Sequence, residues 1–67
     1  MLSVTVNGKP YHFDQPVSVA QLLERMALVG KRIAVEKNGE IVPRSRFGDA
    51  AVRDGDNLEI VVAVGGG

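Results

Sequence analysis

Apolar and polar residues alternate from the start of the chain. Leu2, Val4 and Val6 fall on one side and Ser3 and Thr5 on the other, the period of a half-buried strand. Asn7-Gly8 follows, a pair that tolerates positive φ and predicts a hairpin. Residues 10–13 form the return strand, and Pro10 at its start suits a sheet edge, where a missing N–H is tolerated. The period then changes. Val19, Leu22, Leu23 and Met26 recur at helical spacing, with Gln21, Glu24 and Arg25 towards water. Ser18 is the expected N-cap, Gln21 completes a capping box, and Val17 and Leu22 can form a hydrophobic staple. Gly30 is the expected C′ residue.

Alternation returns in IAVEKNGEIVP, a second hairpin turning at Asn38-Gly39 and limited by Pro43. RSRFGDAAV reads as irregular or as a short helical turn, and Asp54-Gly55-Asp56 as a tight turn. The last segment, NLEIVVAV, places Leu58, Ile60, Val62 and Val64 on a face that should join the helix stripe. Asn57, Glu59, Val61 and Ala63 lie on the other face. Such a near-continuous apolar run predicts a central strand. The elements make an α+β domain, a mixed sheet with one main helix packed on one face, over residues 1–64. Residues 65–67 are expected to be a flexible glycine tail.

Composition narrows the function classes. At 67 residues the chain buries only about 60% of its unfolded surface. It has no cysteine and one histidine, so no disulfide framework and no zinc site can reinforce it. Eight basic and eight acidic side chains give zero net charge, against the basic excess of a nucleic-acid binder. No stretch has the length of a membrane helix and no charged-then-apolar segment opens the chain, so a cytoplasmic protein is expected. Catalytic chemistry is nearly absent. His12 alternates with Tyr11 and Phe13 on the expected edge strand and reads as solvent-facing, Asp54 and Asp56 as turn formers. Lys31, Arg32, Arg44 and Arg46 read as ordinary solvated charge. The glycines are the exception. Without Cβ atoms they can thread a narrow channel, and a carboxylate at Gly67 is ionised at neutral pH, a nucleophile that a partner could activate with ATP.

The DGD turn, the apolar final strand, the Gly66-Gly67 pair and the β-β-α-β-β order resemble the ubiquitin-like β-grasp carriers. More narrowly, IAVEKNGEIVPRSRF followed by DGDNLEIVVAVGGG is similar to the ThiS family, the sulfur carriers of thiamin biosynthesis. The resemblance covers the whole chain, with Gly65 an addition to the minimal diglycine pattern. It implies a protein co-substrate, not an enzyme, with no bound cofactor of its own. A ubiquitin-activating-like enzyme would use Mg-ATP to adenylate the Gly67 carboxylate. Sulfur from a donor such as a cysteine desulfurase would displace AMP and leave a thiocarboxylate for thiazole synthase. A chain without cysteine agrees with sulfur carried on the terminus. Neither nucleic acid nor a membrane is an expected partner. The alternatives are carriage for another pathway, such as molybdopterin synthesis, and a non-covalent β-grasp interaction module with a passive tail. The open sheet face should carry Val61 and Ala63 beside Thr5 and Ser3, and apolar residues there suggest a partner-docking patch.

Overall fold

The computed structural model describes residues 1–28 and 30–62. Strands β1 (Leu2–Val6) and β2 (Lys9–Phe13) form the first hairpin, with Leu2 opposite Phe13 and Val6 opposite Lys9. Asn7 and Gly8 both take positive φ, 52° and 83°, as a two-residue hairpin turn with the right-handed strand twist demands. The second hairpin pairs β4 (Ile33–Lys37) with β5 (Glu40–Val42), and Pro43 ends it as expected. Strand β7 (Asn57–Val62) runs parallel to β1 and antiparallel to β4, giving the order β2-β1-β7-β4-β5. The sheet is mixed and its apolar last strand is central.

Helix α1 (Val19–Arg25) crosses one face. Its capping box is complete: Ser18 Oγ accepts the Gln21 N–H at 3.1 Å and Gln21 Oε1 accepts the Ser18 N–H at 2.9 Å. The carbonyls of Ala50 and Phe47 accept the N–H groups of Val19 and Ala20, both at 2.9 Å. The first-turn donors that a helix leaves orphaned are thus met from a distant segment. Val19, Leu22 and Leu23 are buried against Val4, Val35 and Leu58 of the sheet. Among the described residues no polar side chain is buried.

Three details depart from the sequence expectation. The helix ends before Gly30. Ala27 has φ 59°, its N–H donates to the Glu24 carbonyl, and the Leu28 N–H donates to the Leu23 carbonyl. These two bonds make a Schellman termination with alanine in the left-handed position usually given to glycine. Two short strands, β3 (Val17–Ser18) and β6 (Ala51–Val52), pair separately, with Val17 opposite Val52 and both buried. Two residues are too few to show an alternation; the 3-10 turn at Arg44–Arg46 in the segment before β6 is the short helical turn that was one of its two expected forms. Finally, Val62 is 38% exposed and does not join the core, while Leu58 and Ile60 are buried. Val62 belongs to the last described pair of β7, where β4 is paired on one side and the described pairing with β1 has already ended at Leu58, so less covers it than covers Leu58 and Ile60. Among the described residues no helix is long and apolar enough to cross a membrane.

Candidate functional site

The residues singled out in the sequence cluster along β7 and beyond it. Gly65, Gly66 and Gly67, with Ala63 and Val64, lie outside the described residues. The strand that leads to them is described, and so is the way it is held. Thr5 N–H donates to the Asp56 carbonyl at 3.0 Å and Asn7 N–H to the Leu58 carbonyl at 2.9 Å. The chain then turns away at Asn7-Gly8, yet the ladder continues by one rung through a side chain. Asn7 Oδ1 accepts the Ile60 N–H at 2.8 Å, and Asn7 Nδ2 donates to the Ile60 carbonyl at 3.1 Å. A side-chain amide has the donor and acceptor of a peptide group and here replaces one.

Asn38 serves the other end of β7. Its N–H donates to the Asn57 carbonyl at 2.8 Å and its Oδ1 accepts the Asn57 N–H at 2.9 Å. Its Nδ2 donates to Asp56 Oδ1 at 3.0 Å, while Asp56 Oδ2 accepts the Arg53 N–H at 2.8 Å. Asp54 Oδ1 accepts the Ser3 N–H at 2.8 Å. The aspartates are turn formers, as expected. Both asparagines were legible only as turn residues. Their grip on β7 links residues up to 53 positions apart, and local spacing carries no sign of it.

Val61 lies on the open face and is 62% exposed. Its neighbours differ from those expected. Val61 stands opposite Ala34 of β4, whereas Thr5 stands opposite Asn57 at the start of β7, and Ser3 opposite His12. Because β1 runs parallel to β7, Ser3 and Thr5 belong to the end of the sheet remote from residue 62. The face near Val61 instead holds Ala34, the facing pair Glu59 and Glu36, and Ile41 opposite Glu36, itself 74% exposed. Two carboxylates directly opposite each other destabilise a sheet slightly.

Other candidates for chemistry stay apart. His12 is exposed on the edge strand, and the Ser18 hydroxyl is committed to the cap. Among the described residues no three of His, Cys, Asp or Glu converge as a metal site.

The chain matches the model of the ThiS family over residues 4–67. It is 36% identical to the sulfur carrier protein ThiS of Bacillus subtilis, over 92% of this chain and 96% of that protein. It is 41% identical to a thiazole synthase of Paramagnetospirillum magneticum, over 98% of this chain but only 20% of that protein. The chain therefore spans about a fifth of that relative, and likewise 20% of a thiazole synthase of Magnetococcus marinus. A crystal structure of the thiamine biosynthesis protein ThiS from Geobacter metallireducens superposes with a TM-score of 0.83 at 36% identity, covering 98% of this chain and 100% of that one.

Proposed function

The chain belongs to the ThiS family, and we propose that it is a sulfur carrier in thiamin biosynthesis whose Gly67 bears the sulfur. The observation that carries this reading is the extent of the family match. It runs through residue 67 and so takes in β7 and all three glycines. The β-grasp sheet supports it physically, since the chain runs to the tail from a central strand tied on both sides as far as Ile60.

The chemistry stems from the weakness of a carboxylate as an acyl donor. An oxygen of the Gly67 carboxylate therefore attacks the α-phosphorus of Mg-ATP on a ubiquitin-activating-like partner and expels pyrophosphate. A sulfur nucleophile then attacks the carbonyl carbon of the acyl-adenylate and expels AMP. With a cysteine persulfide from a desulfurase as donor, the product is an acyl disulfide. Two thiols then reduce its S–S bond and become a disulfide, releasing the donor's cysteine as a thiol and leaving the thiocarboxylate. Thiazole synthase takes the sulfur. The relatives in which this domain is one fifth of a protein named thiazole synthase support that recipient. The carrier supplies no catalytic residue and binds no cofactor in this scheme. The cytoplasm is its proposed location, where ATP and thiols are supplied. Val61 and Ala63 are its proposed docking residues, with Ala34 and Ile41 extending the patch on the described part of the face.

The test is intact mass after incubation with an adenylating partner, Mg-ATP and a sulfur source. The expected result is exchange of one oxygen for sulfur, mapped to Gly67 and absent without ATP. No exchange with a demonstrably active enzyme refutes the carrier reading and leaves a non-covalent binding module.

A further inference from the structure

At the end of the sheet where β7 stops, a groove opens between α1, the start of β4 and the 3-10 turn. Leu23, Leu28, Ile33 and Phe47 give it an apolar lining, with Lys31 and Arg44 at its margin. Three local devices build it. The Schellman termination at Ala27 folds Leu28 back towards Leu23. The Ala20-to-Phe47 hydrogen bond holds Phe47 against the helix. Ile33 begins β4 directly opposite Val62.

Its size, charge and place each restrict the occupant. The cavity is about 190 Å³, below the roughly 300–1,000 Å³ of pockets that enclose a small ligand. It suits one side chain, the dimensions of an interface anchor. Lys31 and Arg44 are exposed, Arg32 adjoins Lys31, and Glu24 is the single acid among the lining residues. The margin is therefore cationic in a protein of zero net charge. Ile33 of the lining pairs with Val62, the last described residue on the way to the glycines, so the groove adjoins the end of the sheet from which a partner would take up the tail.

We infer that the groove receives one apolar side chain, flanked by carboxylates, from the tail entrance of thiazole synthase. This rests on the carrier reading above. Thiazole synthase is the recipient because relatives hold this domain within a protein of that name, where the two would meet at high effective concentration. A cationic margin steers and orients such a partner, and its effect fades with salt.

The experiment is calorimetric titration of the full chain with thiazole synthase at low and moderate salt. Charge reversal in the double variant Lys31→Glu, Arg44→Glu is expected to weaken binding about tenfold or more at low salt and to flatten the salt dependence. Lys9→Glu, on β2, should stay within about twofold of wild type. Both substituted positions are exposed, and thermal unfolding checks that the fold survives. Unchanged binding by the double variant, or an equal loss with Lys9→Glu, overturns the inference. So do amide shifts at Lys31 and Phe47 that move when residues 65–67 are deleted, which would make the tail the occupant. So does concentration-dependent self-association abolished by the double variant. The intact-mass assay is independent of all these. A chain that gains sulfur while the charge variants bind normally overturns the groove and leaves the carrier reading standing.

Discussion

The side-chain rung at Asn7 is the feature most open to direct attack. Asn7→Gly keeps the positive φ of 52° without strain and keeps the backbone bond to Leu58, but deletes both side-chain bonds to Ile60. Each such bond contributes about 0.5–1.5 kcal/mol net, so their loss costs about 2 kcal/mol. Glycine's extra freedom in the unfolded chain and its ease at positive φ have opposite signs and roughly cancel. For a domain of this size 1 kcal/mol moves Tm by about 4–8 °C, so the expected drop is about 8–16 °C. Asn7→Asp is nearly isosteric and still accepts from the Ile60 N–H. It replaces the donor with a second oxygen facing the Ile60 carbonyl, so it too should lose stability. Urea unfolding with linear extrapolation gives the energies, and amide exchange at Ile60 locates them. A variant Asn7→Gly within about 0.5 kcal/mol of wild type, with Ile60 protection unchanged, refutes the idea that the side chain is a working rung.

Ala27→Gly tests the helix end. Alanine at φ 59° carries the left-handed penalty of about 1–2 kcal/mol, which glycine lacks, less the greater unfolded entropy of glycine. A net gain of about 0.5–1 kcal/mol in urea unfolding is expected, and a loss would contradict the strain at Ala27. Val61→Asp tests the docking face. At 62% exposure it should leave stability within about 0.5 kcal/mol of wild type. It should also weaken binding to the adenylating enzyme in a calorimetric titration; unchanged binding removes Val61 from the docking surface.

Regular periods were readable from residue types alone. Val4 and Val6 on β1, the capping box at Ser18 and Gln21, and the central place of β7 each come from a local pattern. The features that escaped were settled at long range or by competition between neighbours. Gly30 was the better residue for a helix end, yet the chain turns at Ala27, where a Schellman turn sets Leu28 beside Leu23 in one groove lining. An apolar contact of this kind offsets part of the strain. The β3–β6 pair joins Val17 to Val52 across the whole helix and both hairpin strands between. The surroundings of Val61 were misplaced for a simpler reason. Alternation assigns a residue to a face, but only strand direction and register say who stands beside it, and β1 runs parallel to β7. For the glycines the sequence and the family match carry the reading, since those residues lie outside the described part of the fold.

The hold on β7 is graded, and the grading suits a strand that presents the chain beyond it to a partner. At its start the strand is gripped from both sides, by Thr5 on one and by Asn38 on the other. At Ile60 β1 has already turned away, and Asn7 alone maintains the second side. Beyond Ile60 the register continues only with β4, where Val61 faces Ala34 and Val62 faces Ile33. Burial falls in step, from Leu58 at 0% exposed through Ile60 at 6% to Val62 at 38%. Free energy to open the strand locally should therefore decline along it, since fewer buried contacts and hydrogen bonds mean cheaper opening. A partner that draws in the residues after Val62 would then meet little resistance from the last pairs and a firm stop at Ile60. Asn7 thereby sets where the rigid domain ends, so losing its rung should shift that boundary towards Leu58 as well as lower global stability.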